Sequence, residues 1–378
     1  MLDFTSALYL GMRHGSAELG PWPALSLGRP AALEEPPGAT DLAPRLAGLQ
    51  STGAALLLPS TLHLFLELFC RLAGRDTTFL VDAAAYPIAR WGAQCASVRG
   101  AAFCCFPHQD AGQLADLAAV AQRKGRRPVI VCDGYCPGCG TIAPLPLYAQ
   151  VAARHDGFLV LDDTQAIGIL GGDADALHPL GRNGGGSLCW HGLSGPRILS
   201  GASLAKAFGA PLAVLAGDFE FIRQWRAQSA TLVHCSPPSA VAIQAARRAL
   251  DINRLHGEAL RQTLCLLAQR LQAWATGSGL MPVGRLPFPV QSFHAPGQSA
   301  MALQQGLMRR GVRAIVTLAC DGVSRLLTFL LCARHHVAHI DAAGRALAQA
   351  VNETRATAEA RTGHYCMAAT PFPSRSSR

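Results

Sequence analysis

The sequence has no uninterrupted apolar run long enough to cross a bilayer, and its first residues lack the features of a secretory signal. The most apolar stretch, residues 54–69, is interrupted by Pro59, His63 and Glu67, whereas a membrane-spanning helix needs about 20 predominantly apolar residues. Residues 1–6 have neither the basic region nor the apolar core of a signal peptide. We therefore expect a cytoplasmic protein without a membrane partner.

Aromatic and charged residues are also scarce, at 6% and 15% of the 378 residues, whereas 50% are hydrophobic. Such a chain can bury a large core and is not typical of a disordered protein, so we expect one large domain and a smaller one. The formal net charge is +9, yet the lysines and arginines are scattered. The densest basic run, residues 123–127, is typical of a solvated turn at a helix end, so we expect no nucleic-acid partner. A phosphorylated cofactor or an acidic substrate would suit the charge equally well.

The spacing of the 13 cysteines is typical neither of a disulfide framework nor of a zinc site. Their number is odd and they are spread through apolar segments, which favours small buried residues in a reducing compartment. Cys136 and Cys139 form one Cys-x2-Cys pair close to Cys132, but a structural zinc site needs four ligands and no second pair follows. We therefore predict no metal site. Three histidines at helix-like spacing are typical of a polar helix start rather than of a metal site: His335, His336 and His339.

From about residue 42, short apolar runs alternate with helical patterns. The runs predicted to be strands are residues 54–58, 78–82, 128–132, 158–161, 188–193, 196–200 and 213–216. The helical patterns begin near residues 62, 88, 112, 145, 221 and 240, and the last of them reaches about residue 276. Strands that alternate with helices of this length predict an α/β fold with a mostly parallel sheet covered by helices on both faces.

A second unit follows the long helical pattern. Strands are predicted at residues 289–294, 312–317 and 325–332, and helices at residues 299–310 and 340–359. This order is typical of a smaller α+β domain. We therefore divide the chain into an N-terminal arm (1–40), a large domain (41–275), a small C-terminal domain (276–362) and a tail that we expect to be disordered (363–378).

Two segments carry the residues best suited to chemistry. The apolar run 158–161 ends in Asp162 and Asp163, which places carboxylates at the edge of a parallel sheet where α/β enzymes bind ligands. A metal-binding or loop-capping aspartate pair is the alternative. Lys206 lies in an apolar segment with Ser203 three residues before it. Desolvation lowers the pKa of a lysine amine and so favours imine formation, whereas an ordinary surface lysine would have more polar neighbours.

The order of these and other motifs resembles the α-oxoamine synthase family, which belongs to the fold-type I enzymes that use pyridoxal 5′-phosphate (PLP). The likeness runs along most of the chain. The segments similar to the family's motifs are residues 4–11, 106–110, 132–134, 143–145, 161–168, 203–209 and 236–238. The resemblance implies a seven-stranded type of sheet in a large domain, with a smaller C-terminal domain.

The resemblance also assigns cofactor roles to the residues at matching positions. Lys206 would form the Schiff base with PLP, and Asp162 would pair with the pyridine nitrogen and keep it protonated. Ser203 would contact the cofactor phosphate. Ser60 and Thr61 would offer hydroxyl and backbone N–H groups to the same phosphate at the start of a helix.

Several positions depart from the family pattern. Tyr86 stands where the family has a histidine that stacks on the cofactor ring, and a tyrosine can still stack there. Gln165 replaces the histidine that bonds the cofactor's phenolic oxygen; it can donate a hydrogen bond but cannot relay a proton at neutral pH. Ala7 and Pro137 replace an asparagine and a serine near the substrate. The family has two arginines that hold the substrate carboxylate, and Arg325 is the one that is kept here. The groups for the cofactor are therefore largely kept, and those that determine substrate and reaction are altered.

The family implies a PLP-dependent transferase that condenses an amino acid with an acyl-CoA or acyl-carrier-protein thioester, and a homodimer with its sites at the subunit interface. Two alternatives stay open. One is a PLP-dependent aminotransferase of the same fold, in which Lys206 moves the proton. The other is a non-catalytic member that serves as a binding subunit. Whether Arg325 or Arg313 binds the substrate carboxylate is open as well.

Overall fold

The computed structural model describes residues 1–367. Its strands are, in chain order, β1 (Leu2–Asp3), β2 (Ala54–Leu58), β3 (Thr77–Asp82), β4 (Ala102–Phe106), β5 (Arg127–Asp133), β6 (Tyr135–Cys136), β7 (Thr141–Ile142), β8 (Phe158–Asp162), β9 (Ile198–Ser203), β10 (Ala213–Gly217), β11 (Met281–Pro282), β12 (Val290–His294), β13 (Val312–Arg313), β14 (Ile315–Leu318) and β15 (Arg325–Leu330). Its α-helices are α1 (Ala39–Leu49), α2 (Thr61–Leu72), α3 (Pro87–Ala96), α4 (Ala111–Arg123), α5 (Leu145–Arg154), α6 (Ser187–His191), α7 (Phe219–Gln228), α8 (Ala230–His234), α9 (Ala240–Gly277), α10 (Ala300–Arg309) and α11 (Val337–Met367).

A seven-stranded sheet forms the centre of the fold, with the strand order β2-β10-β9-β8-β5-β3-β4. Strand β10 is antiparallel to both of its neighbours, and the other neighbouring pairs are parallel. The prediction of a mostly parallel, seven-stranded type of sheet is thereby confirmed. Because β3, β5 and β8 run in the same direction, their carboxyl ends meet at one edge of the sheet.

Helices cover both faces of this sheet. Val129 and Val131 of β5 pack in a hydrophobic cluster with side chains of α2 and α3. The intervening Ile130 and Cys132 pack in a second cluster with side chains of α4 and α5. Burial on both faces explains why the parallel strands are continuous apolar runs, which made them recognisable in the sequence.

A second sheet is antiparallel and four-stranded, with the order β11-β12-β15-β14, and its strands pack with α10 and α11. It matches the predicted smaller α+β unit. The start of the chain is joined to this unit, because β1 pairs with β13 in parallel. The carbonyl oxygens of Phe4 and Tyr9 also accept the backbone N–H groups of Leu330 and Ala333, at 2.8 and 2.7 Å. The first nine residues of the N-terminal arm thus run along the smaller unit.

Two parts of the large sheet differ from the prediction. Residues 188–193, predicted to be a strand, contain most of helix α6. The Oδ2 atom of Asp163 accepts the backbone N–H of Ser187 (2.9 Å) and so starts this helical turn; a short apolar run does not distinguish a strand from a buried turn of helix. The strand that was not predicted is β4 at the edge of the sheet. Its sequence, Ala-Phe-Cys-Cys-Phe, lacks the β-branched residues that mark strands.

Helix α11 extends to Met367, beyond residue 363, where we predicted the tail to begin. The rest of that predicted tail, residues 368–378, lies outside the described residues. Within residues 1–367, no helix combines the length and the apolar character needed to cross a membrane.

Candidate active site

Three neighbouring strands end in an aspartate at the same edge of the large sheet. These residues are Asp82 in β3, Asp133 in β5 and Asp162 in β8, and Asp133 lies opposite Asp162 in the strand register. Asp82 and Asp162 are only 2% and 6% exposed. Burial raises the pKa of Asp162, and burial together with the adjacent Asp162 carboxylate raises the pKa of Asp133. The edge therefore concentrates carboxyl groups that a nearby cation would stabilise.

Lys206 supplies a cation at this edge. It lies in the loop between β9 and β10, where its carbonyl oxygen accepts the backbone N–H of Gly209 (3.3 Å). Gly209 has φ +62°, and a Cβ atom there would fall against the carbonyl oxygen of Met12, so the loop requires glycine. Burial lowers the pKa of Lys206, although the charges of Asp162 and Asp133 oppose this shift. Such an amine loses its proton more easily than an ordinary lysine and is better suited to imine formation.

Tyr86 lies over the same lysine. The Lys206 Nζ atom is 5.8 Å from the centre of the Tyr86 ring, within the range of a cation–π contact. The backbone N–H of Tyr86 donates to Oδ1 of Asp133 (3.0 Å), which ties the start of α3 to the end of β5. Tyr86 is 52% exposed, so a planar ligand can still stack on its ring. The structure thus brings Lys206, Tyr86 and the two aspartates into one group.

The residues that follow β8 connect this group to Gln165. The backbone N–H of Thr164 donates to Asp162 Oδ1 (3.0 Å), and the Thr164 hydroxyl accepts the N–H of Ser203 (2.9 Å). Next to it, Gln165 Oε1 accepts a hydrogen bond from the Tyr9 hydroxyl (2.7 Å). Burial raises the pKa of Tyr9, so this hydroxyl keeps its proton and acts as the donor. With Oε1 bound to Tyr9, the Nε2 end of Gln165 is the one that can donate to a ligand.

The three hydroxyl residues predicted to bind phosphate lie at the ends of β9 and β2, which are separated by β10 in the large sheet. Ser203 ends β9 and lies opposite Ala213 of β10, which in turn lies opposite Leu58, the last residue of β2. Ser60 and Thr61 follow Leu58 directly, as the N-cap and the first residue of helix α2. The free N–H groups of a helix N-terminus, flanked by hydroxyls, are suited to an anion such as a phosphate.

The two candidate arginines lie in the smaller unit. Arg325 is the first residue of β15 and is exposed. Among the described residues, its guanidinium makes no hydrogen bond or ion pair. Arg313 lies in β13, in register with Asp3 of the N-terminal arm. The Arg313 guanidinium likewise makes no hydrogen bond or ion pair among the described residues, but its charge helps to lower the pKa of Asp3, whereas Arg325 acts on no such group.

Three residues of this site were not predicted: Asp133, Thr164 and Tyr9. Asp133 belongs to a segment that resembles a family motif, and an aspartate at the end of a buried apolar run is itself a signal of a possible site residue. Tyr9 carries no such local signal, since its partner is 156 residues away. Composition also narrows the search for an imine-forming lysine, because Lys124 and Lys206 are the only lysines in the whole sequence.

Comparisons with known proteins point to one family, although no family model matches the chain. The 8-amino-7-oxononanoate synthase of Methylococcus capsulatus is 31% identical over 312 residues, which cover 81% of this chain and 76% of that protein. The 8-amino-7-oxononanoate synthase 1 of Polaromonas sp. is 32% identical over 260 residues, 65% of this chain but 60% of the relative's length. The structure of serine palmitoyltransferase from S. paucimobilis with a bound PLP-myriocin aldimine has a TM-score of 0.79 at 17% identity and covers 94% of this chain and 88% of that one.

The structural likeness defines the class of the molecule, because this arrangement of sheet and helices is the fold of the fold-type I PLP-dependent enzymes. The match to the Methylococcus capsulatus protein spans most of both chains and shows the family within this fold. This chain belongs to the α-oxoamine synthase family.

Proposed function

We propose that the chain is a PLP-dependent transferase of the α-oxoamine synthase type, which condenses an amino acid with an acyl thioester. The observation that carries this proposal is the position of Lys206 beside Asp162 and Asp133, at the carboxyl edge of a parallel sheet. Family membership favours condensation over aminotransfer, since the curated relatives are named as synthases. A non-catalytic subunit would have no need of a lysine whose pKa is lowered by burial.

The residues at this edge fit PLP. The Lys206 amine can bond to the cofactor aldehyde, and the protonated pyridine nitrogen supplies the cationic partner that the buried Asp162 carboxylate favours. Ser60 and Thr61 start the helix whose N-terminus suits the phosphate, and Ser203 ends a strand at the same edge of the sheet, with β10 between them. When bound, PLP supplies an electron sink that stabilises negative charge on the attached substrate carbon.

Lys206 is also the group that we assign to proton transfer. The histidines of the family are replaced by Tyr86 and Gln165, and neither a phenol nor a carboxamide readily accepts a proton near pH 7. The Nζ atom of Lys206 has a pKa lowered by burial, so it can take up the substrate's α-proton and return it. With the cofactor bound, Tyr86 would cover a face of its ring, and Gln165 Nε2 would donate a hydrogen bond to its phenolic oxygen.

Arg325 is the proposed partner of the amino-acid carboxylate, since its guanidinium is exposed and unpaired among the described residues. We expect Arg325→Gln to raise the KM for the amino acid while leaving the KM for the acyl thioester unchanged. Arg313→Gln is the matched control and should change neither constant. Equal effects of the two substitutions would contradict this assignment.

The proposal includes a homodimer with the site at the subunit interface. Tyr86 lies over Lys206 and is nevertheless half exposed, which leaves this side of the site open in a single chain. A second subunit would cover it. Analytical ultracentrifugation of the active holoenzyme should give a dimer, and a fully active monomer would contradict this part of the proposal.

The experiment that tests the reaction measures free CoA from a panel of acyl-CoA thioesters, with and without amino acids. We expect CoA release that needs both substrates, is lost in Lys206→Ala and is kept in Lys124→Ala, the other lysine of the chain. Conversion of the cofactor to pyridoxamine phosphate without acyl-CoA would indicate aminotransfer instead. A PLP-loaded protein that does neither across the panel would overturn the proposal.

A further inference from the structure

Four potential metal ligands that lie far apart in the sequence converge beside the candidate active site. They are His108 in the loop after β4, Cys136 and Cys139 after β5, and Cys320 in the turn between β14 and β15. One ligand atom of each residue lies within 4.8 Å of the ligand atoms of the others. None of the four residues takes part in the cofactor chemistry proposed above.

The distances suit a small tetrahedral site. His108 Nε2 lies 3.1 Å from Cys139 Sγ, and Cys136 Sγ lies 3.1 Å from Cys320 Sγ. Zinc binds sulfur at about 2.3 Å and imidazole nitrogen at about 2.0 Å, so neighbouring ligand atoms around it are about 3.5–3.8 Å apart. The two separations of 3.1 Å would therefore widen by about 0.4–0.7 Å around a bound zinc ion. Three cysteines and one histidine also form one of the common ligand sets of structural zinc.

The histidine is already oriented for this role. Its Nδ1 atom lies 2.7 Å from Oδ1 of the buried Asp82, while Nε2 points to the cysteine sulfurs. A hydrogen bond from the second ring nitrogen to a carboxylate is the usual outer partner of a zinc-bound histidine, because it fixes the tautomer and the ring orientation. Asp82 therefore supports His108 as a ligand through Nε2.

The backbone brings the two cysteines of the large unit close to the third one. The segment from Cys136 to Gly140 forms a turn in which the Gly140 N–H donates to the Cys136 carbonyl (2.8 Å). Within this turn, a Cβ atom on Gly138 would lie 3.0 Å from Cys320 Sγ and 3.2 Å from the Cys320 backbone nitrogen. So close an approach favours glycine at this position, and it shows that the turn packs directly on the β14–β15 turn.

We propose that His108, Cys136, Cys139 and Cys320 bind one zinc ion that joins the edge of the large sheet to the smaller unit. The sequence alone led us to expect no metal site, because just one Cys-x2-Cys pair was visible. The fold supplies the missing ligands, His108 from 31 residues before Cys139 and Cys320 from 184 residues after Cys136. The ion would hold the turn that leads into β15, whose first residue is Arg325, and so position that arginine relative to the sheet edge.

The first test measures metal in the unmodified full-length chain, purified with a tag that contains no histidine, under reducing conditions and without chelators. Inductively coupled plasma mass spectrometry should give about one zinc ion per chain. X-ray absorption spectroscopy should show three sulfur ligands at about 2.3 Å and one nitrogen ligand at about 2.0 Å. A metal-free protein whose cysteines are all free thiols would overturn the proposal. A disulfide between Cys136 or Cys139 and Cys320 would overturn it too, and another metal on the same ligands would overturn the choice of zinc.

The second test uses variants with a matched control. Cys139→Ser and Cys320→Ser should each lose most of the zinc, whereas Cys95→Ser, which removes an exposed cysteine outside the cluster, should keep it. Zinc retained in both ligand variants would contradict the assignment. If these variants do not fold, X-ray absorption of the unmodified protein decides the question. Lys206→Ala should keep its zinc, so that failure of the proposed PLP chemistry and failure of the zinc site remain distinguishable.

Discussion

The hydrogen bond between Tyr9 and Gln165 gives a sharp test of how the N-terminal arm prepares the site. Tyr9 is buried, and its hydroxyl donates to Gln165 Oε1 at 2.7 Å. The substitution Tyr9→Phe removes this oxygen and keeps the ring that packs on Phe288. Without the bond, the carboxamide of Gln165 is free to rotate, and its Nε2 end is no longer held in the orientation that we propose for binding the cofactor.

The size of the effect follows from the burial of the two groups. A net hydrogen bond of this kind is worth about 0.5–1.5 kcal/mol, and an acceptor left without a donor adds to the loss when it is buried. Because Gln165 is only partly buried, we expect a loss of about 1–1.4 kcal/mol. This corresponds to a dissociation constant for PLP that is about five to ten times higher.

The assay titrates apo-protein with PLP and follows the absorbance of the lysine-bound cofactor. Tyr148→Phe is the matched control, since Tyr148 is a buried tyrosine whose hydroxyl has no hydrogen-bond partner among the described residues. Its removal costs no hydrogen bond, so PLP binding should be unchanged and stability unchanged or higher. Equal PLP affinities for Tyr9→Phe and Tyr148→Phe would refute the reasoning.

Two further predictions concern stability. Gly209→Ala should lower the free energy of unfolding by more than about 1 kcal/mol, because φ is +62° and the new Cβ would meet the carbonyl oxygen of Met12. Gly277→Ala is the control: it lies at a helix end with open space around it and should raise the free energy of unfolding by about 0.4–1 kcal/mol. Urea titrations measure both changes. Burial raises the pKa of Asp163 to about 6, so its contribution to stability is present below about pH 4 and is lost as the pH rises through 6. Relative to Asp163→Asn, the wild type should therefore lose on the order of 3 kcal/mol between pH 3.5 and 7, and a pH-independent difference would contradict this.

Much of the fold was predictable because its central strands are buried on both faces. Such strands appear in the sequence as continuous apolar runs, and the runs at residues 128–132 and 158–161 match β5 and β8 closely. The same signal is ambiguous when the run is short, as at residues 188–193, where hydrogen bonding to Asp163 favours a helical turn. The edge strand β4 is only partly buried and gave no such signal.

The sequence indicated candidate site residues where the signal is local. A lysine in an apolar loop and an aspartate at a strand end indicate their chemistry by themselves, and Lys206 and Asp162 are such cases. Contacts between distant segments had no counterpart in the sequence. The bond between Tyr9 and Gln165, and the approach of Cys136 to Cys320, result from the path of the whole chain.

The most direct test of the account is to find which residue holds the cofactor. Holoenzyme reduced with borohydride carries PLP permanently on the lysine that bound it, and peptide mass spectrometry then locates the label. The chain has two lysines to choose between. We expect the label on Lys206 at about one per chain, no label on Lys124, and loss of the label in Lys206→Ala. A label on Lys124, or an unlabelled chain after loading with PLP, would contradict the central claim.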